Sequence, residues 1–164
     1  MIIVFWNCKG MGSMQKIKAM KDIITSEKPD ILMLQETKEN EKEMEKMMQK
    51  TKNYQGTSIP MTRASGAICT LWKTENWELI QQTKELHLIK TKLENKKTKE
   101  KYCIINIYAP NHYRDKEFCW STLKNHLMQD QNRGIIIGGD VNLVLSAEEK
   151  FGGKYNVGPY REML

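Results

Sequence analysis

The sequence predicts an α/β fold in which two β-sheets pack together and helices cover their outer faces. Three observations predict it. Strand and helix patterns alternate at the start of the chain, they alternate again near its end, and the middle shows strand patterns without helices between them. Alternation is typical of helices packed on a sheet, and a run of strands is typical of local antiparallel pairing, so together they favour two layered sheets.

The first two units each contain a strand followed by a helix. We predict a strand over Ile2 to Trp6, then a helix that begins at Ser13 and ends at Lys28-Pro29-Asp30. A second strand spans Ile31 to Leu34. The charged helix predicted over Lys38 to Lys52 carries one narrow apolar stripe, which we interpret as core packing: Met44, Met47 and Met48.

Four strands follow, and a helix and a strand then restore the alternation. The four strands are interpreted as an antiparallel meander over Gly66 to Trp72, Trp77 to Gln81, Glu85 to Glu94 and Tyr102 to Tyr108. The last helix spans about Asp115 to Gln129, and the last strand spans Gly134 to Ile137.

Composition restricts the class of protein. The 164 residues fit one domain, and 40% hydrophobic residues with 4 prolines are typical of a globular chain. The 4 cysteines contain no C-x-x-C pair, so neither a zinc knuckle nor a disulfide framework is indicated. No apolar run has membrane-spanning length, and the apolar start is too short for a secretory leader. We therefore expect an intracellular protein, nuclear or cytoplasmic, with no membrane contact.

The net charge of +6 is concentrated in one segment. Seven lysines and three glutamates lie between Lys84 and Lys101, in a pattern that predicts a hairpin with a turn at Asn95-Lys96-Lys97. One interpretation is a solvated sheet edge that lysine protects from aggregation. The other is a contact between nucleic-acid phosphates and the lysines of the tip, Lys96, Lys97 and Lys99.

Polar side chains follow several predicted strands at their carboxyl ends. They are Asn7, Glu36 and Tyr108 after three strands, and Asp140 and Asn142 after the stretch GIIIGG. Because ligands of layered sheets gather at the carboxyl ends of strands, we expect these five residues to share one rim. Their oxygen-rich donor set suits Mg²⁺, or Mn²⁺ as an alternative.

Each rim residue also has a purely structural interpretation. Asn7 can cap a turn, Tyr108 can be an amphipathic core residue, and Glu36 can lie in the first turn of the next helix. Singly these interpretations are the simpler ones. It is the recurrence at several strand ends that favours a site.

Four short motifs occur in an order that resembles a known superfamily. They are W-N-C-K-G at residues 6 to 10, L-Q-E-T-K at 34 to 38, N-I-Y-A-P at 106 to 110 and G-G-D-V-N at 138 to 142. In this order they resemble the endonuclease/exonuclease/phosphatase superfamily. Together with KPDILMLQETK, SGAICTLWK and VNLVLSAEEKFGG, they are similar to the endonuclease domain of plant LINE-type (non-LTR) retrotransposons. The resemblance covers almost the whole chain and implies a four-layered α/β sandwich.

The resemblance also implies roles for the matching residues. Glu36 would ligate Mg²⁺, and Asn7 would help to hold metal or phosphate. Tyr108 would contact the scissile phosphate, while Asp140 and Asn142 would position and activate the attacking water. The implied substrate is nucleic acid, with duplex DNA as the preferred form.

Several departures from the family pattern bear on whether the domain is catalytically active. Family members carry a late aspartate block and a terminal Asp-His pair, and the sequence stops at Leu164 before any counterpart. His87, His112 and His126 do not lie in such a setting, and Lys9 stands where some relatives place an acid. These departures predict a domain that is incomplete on its C-terminal side and weak or inactive as this fragment. A second function class therefore stays open, a non-catalytic retrotransposon-derived remnant that binds nucleic acid or a protein.

Overall fold

The computed structural model describes residues 1–61, 67–130 and 134–143. In these ranges the chain forms eight strands and three helices, which follow each other as β1 (Ile3–Asn7), α1 (Met14–Glu27), β2 (Ile31–Gln35), α2 (Glu41–Gln49), β3 (Tyr54–Ile59), β4 (Ile68–Lys73), β5 (Trp77–Glu85), β6 (Leu88–Asn95), β7 (Lys101–Tyr108), α3 (Tyr113–Met128) and β8 (Gly134–Asp140).

The strands form two four-stranded mixed sheets. The first sheet has the order β1-β2-β4-β3, with β1 and β2 parallel and the other neighbours antiparallel. The second has the order β5-β6-β7-β8, with β7 and β8 parallel and the other neighbours antiparallel. The predicted α/β fold with two packed mixed sheets is confirmed.

Three apolar clusters stack the elements into four layers. One cluster joins α1 and α2 to the first sheet through Met20, Met44 and Leu32. The middle cluster lies between the sheets and includes Trp72 and Trp77. A third joins the second sheet to α3, with Cys103, Ile105, Cys119 and Leu123 among its members. The methionine stripe of α2 belongs to the core, as predicted, since Met44 and Met47 are buried.

Side chains cap the first turns of two helices, and the first of these caps lies where the sequence predicts it. The Ser13 hydroxyl accepts a hydrogen bond from the backbone N–H of Lys16 at 3.2 Å and so caps α1. That helix ends at Lys28, whose φ of 47° is left-handed, directly before Pro29. The Asn40 side chain caps α2, so this helix is shorter than predicted and begins at Glu41.

The predicted four-strand meander is wrong in its first member. β4 pairs with β2 and β3 in the first sheet, and only β5, β6 and β7 form the meander. The chain crosses between the sheets after Lys73, because Trp72 and Trp77 both pack in the cluster between them. The start predicted at Gly66 lies outside the described residues.

Strand β3 was not predicted from the sequence. Its residues YQGTSI include a glycine and lack the apolar alternation that marks a strand. Gly56 is required there, because a Cβ at this position would lie 2.4 Å from Leu71 Cδ2 and 2.9 Å from the Thr70 carbonyl oxygen. The glycine that weakens the strand signal therefore allows β3 to pack closely on β4.

The two parallel pairs determine where polar residues gather. β1 and β2 end together, with Asn7 opposite Gln35, and β7 and β8 end together, with Tyr108 opposite Asp140. The pairs belong to different sheets that face each other, so their carboxyl ends meet at one edge of the sandwich. Within the described ranges, no helix has the length and apolar character needed to cross a lipid bilayer.

Candidate functional site

The structure brings the five predicted rim residues together at this edge. Direct hydrogen bonds join Asn7 to Glu36 and to Asp140, and Asn142 to Asp140. Tyr108 completes the group, because its hydroxyl interacts with the side chains of Glu36 and Asn142. All five side chains are partly exposed, so the group is open to a ligand from solvent.

The Asn7 amide links the two sheets at the rim. Its Nδ2 donates to Glu36 Oε1 at 2.9 Å and to Asp140 Oδ2 at 2.7 Å. The other amide atom, Oδ1, accepts from the backbone N–H of Lys9 at 3.2 Å. A backbone N–H can only donate, so this contact determines which way the amide faces. One nitrogen therefore holds two carboxylates that come from different sheets.

The backbone around Glu36 holds its carboxylate at the rim. Glu36 has a left-handed φ of 50°, which is uncommon for a residue other than glycine and is typical of functional turns. The segments that follow β1 and β2 continue to pair beyond the strands, since the Cys8 N–H donates to the Gln35 carbonyl and the Gly10 N–H donates to the Glu36 carbonyl. Lys38 Nζ lies 3.8 Å from Glu36 Oε2, on an exposed side chain.

Asp140 and Asn142 form a turn that is held by one hydrogen bond within the turn and by another to the residue that follows β7. The Asn142 N–H donates to Asp140 Oδ1 at 2.9 Å, and Asn142 Nδ2 donates to the Ala109 carbonyl at 2.5 Å. Asn142 adopts a left-handed φ of 48°, a conformation that asparagine tolerates. Both carboxylate oxygens of Asp140 therefore accept a hydrogen bond, one from Asn7 and one from Asn142.

The two glycines before Asp140 are required by their surroundings. The Phe5 ring lies across Gly138, where a Cβ would be 1.6 Å from Phe5 Cε1. Gly139 has a φ of 140°, and a Cβ there would lie 1.9 Å from the Ile107 carbonyl oxygen. This close approach of β8 to β1 and β7 is what carries Asp140 to Asn7.

Tyr108 is held in its neutral form. Burial raises the pKa of its hydroxyl above the ordinary value, the Glu36 and Asp140 carboxylates raise it further, and Asn142 opposes the shift. A neutral phenol can donate a hydrogen bond at physiological pH. It can therefore contact an anionic ligand without adding negative charge to the rim.

Sequence reasoning missed Lys116, which lies in the first turn of α3. Its side chain is buried, and its Nζ donates to the Asn142 carbonyl at 2.6 Å. Burial lowers the pKa of Lys116, and the nearby Asp140 carboxylate opposes that shift. A cation in the first turn of a helix is disfavoured by the helix dipole. A lysine at the start of a helix was the signal available in the sequence, and this signal does not identify the group that Lys116 contacts.

A buried polar pair beneath the rim was also missed. Gln35 Nε2 donates to Asn106 Oδ1 at 2.7 Å across the gap between the sheets. Asn106 Nδ2 in turn donates to the Cys69 carbonyl at 2.9 Å and the Thr70 hydroxyl at 3.2 Å. Both residues belong to the motifs that contain Glu36 and Tyr108. The pair therefore fixes one sheet against the other one or two residues below the site.

The donor set at the rim fits a hard divalent cation. Glu36 and Asp140 each place an oxygen within hydrogen-bond distance of one Asn7 nitrogen, and the five residues supply oxygen and amide groups without sulfur or imidazole. Mg²⁺ is commonly bound by one or two carboxylates, with water and phosphate as its remaining ligands. In the described part of the chain, no group of three or more His, Cys, Asp or Glu side chains forms a fuller metal cage. Glu36 could ligate the ion directly. The Asn7 oxygen faces the Lys9 N–H and its nitrogen faces the two carboxylates, so Asn7 orients them here and its predicted part in holding the metal stays a prediction.

The structure does not bring the lysine-rich tip to this rim. The tip joins β6 to β7 at the start of β7, whereas Tyr108 lies at the opposite end of this eight-residue strand. At about 3.3 Å per residue the separation is roughly 25 Å. Two of the three lysines have partners, because Lys96 Nζ donates to the Thr74 carbonyl and Lys99 Nζ lies 3.5 Å from Glu94. The hairpin itself is confirmed, and its nucleic-acid contact stays a prediction.

The three histidines have other surroundings. His87 is buried, His112 precedes α3 without a capping side-chain bond, and His126 Nε2 lies 3.5 Å from Glu85 Oε1. Across residues 1–61, 67–130 and 134–143, no histidine side chain bonds to Glu36 or Asp140. Most of the stretch VNLVLSAEEKFGG lies outside the described residues.

Comparisons with known proteins agree with the motif order. The model of the Endonuclease/Exonuclease/phosphatase family matches residues 4–157. An AP endonuclease from Leishmania major superposes with a TM-score of 0.72 at 18% identity, over 98% of this chain and 60% of its own. A 3′ phosphatase from Neisseria bound to a product DNA hairpin gives 0.67 at 13% identity, over 88% and 59%. A mannosyl-6-phosphatase from Bacteroides thetaiotaomicron gives 0.67 at 12% identity, over 85% and 64%.

These similarities concern the fold, because the identities are low. The chain spans about three fifths of the length of these three solved structures. No curated protein sequence matches the chain.

Proposed function

Since the chain belongs to the endonuclease/exonuclease/phosphatase family, we propose that it is a Mg²⁺-dependent phosphodiesterase domain that cleaves DNA phosphodiester bonds. Residues 1–164 would form most of one such domain. We also propose a relation to the endonucleases of LINE-type retrotransposons, which is supported by the motif order given above.

One observation carries the proposal, the bridge that Asn7 makes between Glu36 and Asp140. A carboxylate pair that only stabilised the fold would gain more from a lysine or arginine between them. A neutral amide cancels the charge of neither carboxylate, so both can attract a cation at the open rim, where Lys38 lies 3.8 Å from Glu36 on an exposed side chain. The rim residues also come from four strand ends, and such rigid supports give a site its accuracy.

Glu36, with Asn7 beside it, would hold the metal. A bound Mg²⁺ supplies positive charge that neutralises a phosphodiester and orients it. Glu36 suits this role because its backbone is fixed in a left-handed turn and its carboxylate is partly exposed. Lys38 would remain on the solvent side, where it screens the carboxylate weakly.

Asp140, Asn142 and Tyr108 would act on the water and the phosphate. Asp140 is the group that would accept a proton from the attacking water, and its two hydrogen bonds fix the direction of its carboxylate. Tyr108, whose pKa is raised so that its phenol stays protonated, would donate a hydrogen bond from its hydroxyl to a phosphate oxygen. Asn142 would position the water through its place in the turn.

DNA is favoured over other phosphate esters by the LINE-like motifs and the net charge of +6. Relatives with this fold include a phosphatase bound to a DNA hairpin and a mannosyl-6-phosphatase. The lysine-rich tip would extend contact with DNA on the far side of the sandwich, as a surface separate from the rim.

We expect residues 1–164 alone to cleave weakly or not at all. In the described ranges, the rim holds two carboxylates, two amides and the Tyr108 phenol but no histidine to stabilise charge developing on the phosphate, and Lys9 is exposed. Loss of one preorganised electrostatic donor typically costs about a hundredfold to a thousandfold in rate.

A plasmid-nicking assay with Mg²⁺ tests the proposed function. It compares the chain, a chimera that carries the terminal segment of a related endonuclease, and the chimera with Asp140→Ala. We expect weak or no nicking by the chain, nicking by the chimera, and its loss with Asp140→Ala. Nicking that survives Asp140→Ala would contradict the assignment. A folded chimera that binds DNA but does not nick would support the alternative of a non-catalytic remnant that binds nucleic acid or a partner.

A further inference from the structure

Lys116 combines two unfavourable features that require an explanation. Its side chain is buried, with 9% of the residue exposed, and an ammonium removed from water costs free energy unless it is hydrogen-bonded. It also lies in the first turn of α3, where the helix dipole repels a cation. A lysine placed only for solubility would extend from the exposed face of this helix, as Lys124 does.

The contacts of Lys116 converge on one residue of the rim. Its Nζ donates to the Asn142 carbonyl at 2.6 Å. The Asn142 N–H donates to Asp140 Oδ1, and Asn142 Nδ2 donates to the Ala109 carbonyl. The N–H, the carbonyl and the side-chain amide of Asn142 are thus each bonded to a different residue. The left-handed backbone of Asn142 is unfavourable by itself and depends on such contacts.

We propose that Lys116 is a positioning residue that fixes the turn from Asp140 to Asn142 and so directs the Asp140 carboxylate. The proposal rests on the proposed function for its catalytic consequence. The chain of contacts is direct, because Lys116 holds Asn142 and the Asn142 N–H holds one oxygen of Asp140. Lys116 makes no described contact with Glu36, so its direct effect falls on Asn142 and Asp140 and not on the carboxylate that would ligate Mg²⁺.

The test uses ¹⁵N-labelled wild-type chain with Lys116→Met, Lys116→Gln and the control Lys124→Met on the exposed face of the same helix. Hydrogen exchange of the Asn142 backbone N–H is followed by NMR, and Mg²⁺ is titrated into each variant. We expect exchange roughly tenfold faster in Lys116→Met, since a charge-assisted hydrogen bond is lost. Lys116→Gln keeps one donor and should be intermediate, and Lys124→Met should match wild type. Mg²⁺ affinity should fall in none of the variants, because Lys116 does not contact Glu36 and its removal takes away positive charge near Asp140.

Cleavage of a nitrophenyl phosphodiester by the same variants in the chimera gives the catalytic readout. We expect Lys116→Met to lower kcat with little change in KM, and Lys124→Met to leave both unchanged. Unchanged exchange at Asn142 would overturn the proposal. A raised KM with unchanged exchange would also overturn it, because Lys116 would then contact the substrate. If Lys116→Met does not fold, Lys116→Gln decides by the same exchange criterion. Absence of cleavage in every variant would refute the proposed function, while the exchange result would still decide the role of Lys116.

Discussion

Replacement of Asn7 by alanine should destabilise the protein although the residue lies at a partly exposed rim. Its amide nitrogen makes two hydrogen bonds to carboxylates, at 2.9 and 2.7 Å. A hydrogen bond to a charged group contributes about 1.5 to 3 kcal/mol, and partial exposure favours the lower end of this range. Without the amide, two carboxylates about 5 Å apart would also repel each other by about 1 to 3 kcal/mol.

Because these contributions are not additive, we expect Asn7→Ala to lower the free energy of unfolding by about 3 kcal/mol. Urea unfolding followed by tryptophan fluorescence, with a chelator present, gives this quantity directly. Asn125→Ala, on the exposed face of α3, is the matched control and should change stability by less than about 0.5 kcal/mol. If Asn7→Ala were as stable as the control, Asn7 could not bridge the sheets in solution, and the geometry of the site would be wrong.

Three further predictions concern other parts of the molecule. Gly139→Ala should destabilise by more than about 2 kcal/mol in the same urea assay, because a Cβ there would lie 1.9 Å from the Ile107 carbonyl oxygen; an unchanged midpoint would contradict this. Asp130→Asn should cost about 3 kcal/mol at pH 7, because it leaves buried Lys90 without its partner. Burial alone would raise the pKa of Asp130, but hydrogen bonds and charge from Lys90 and Lys92 lower it below 3.8. The stability that Asp130 contributes is therefore fully present above about pH 4 and declines as the pH falls further, and a wild-type advantage that did not shrink below about pH 4 would refute this. The logarithm of the affinity for duplex DNA should fall against the logarithm of the salt concentration with a slope of about −3. Glutamine at the three tip lysines, Lys96, Lys97 and Lys99, should flatten this slope. An unchanged slope would contradict a contact between the tip and DNA phosphates.

The sequence was sufficient to place the rim because strand ends follow a general rule. Asn7, Glu36 and Asp140 each come at the carboxyl end of an apolar run, and two parallel pairs bring such ends to one edge. The same rule applied to β7 would have separated the lysine-rich tip from the rim, because the tip begins the strand that Tyr108 ends. That step follows from the sequence alone.

The remaining features depend on contacts that local patterns do not contain. The sheet that β4 joins is decided by packing of Trp72 and Trp77 between the sheets. The Gln35–Asn106 pair joins residues 71 positions apart. Lys116 lies 26 positions from Asn142, and nothing in its own neighbourhood identifies that carbonyl as its partner.

The most direct measurement is a calorimetric titration of Mg²⁺ into the wild-type chain, Glu36→Gln and the exposed control Glu78→Gln. We expect one saturable site in the wild type and the same affinity in Glu78→Gln. Affinity should fall by about tenfold or more in Glu36→Gln, because changes to groups that merely support a metal ligand already cost about tenfold. Equal affinity in all three chains, or no saturable binding in the wild type, would contradict a metal-dependent site at this rim.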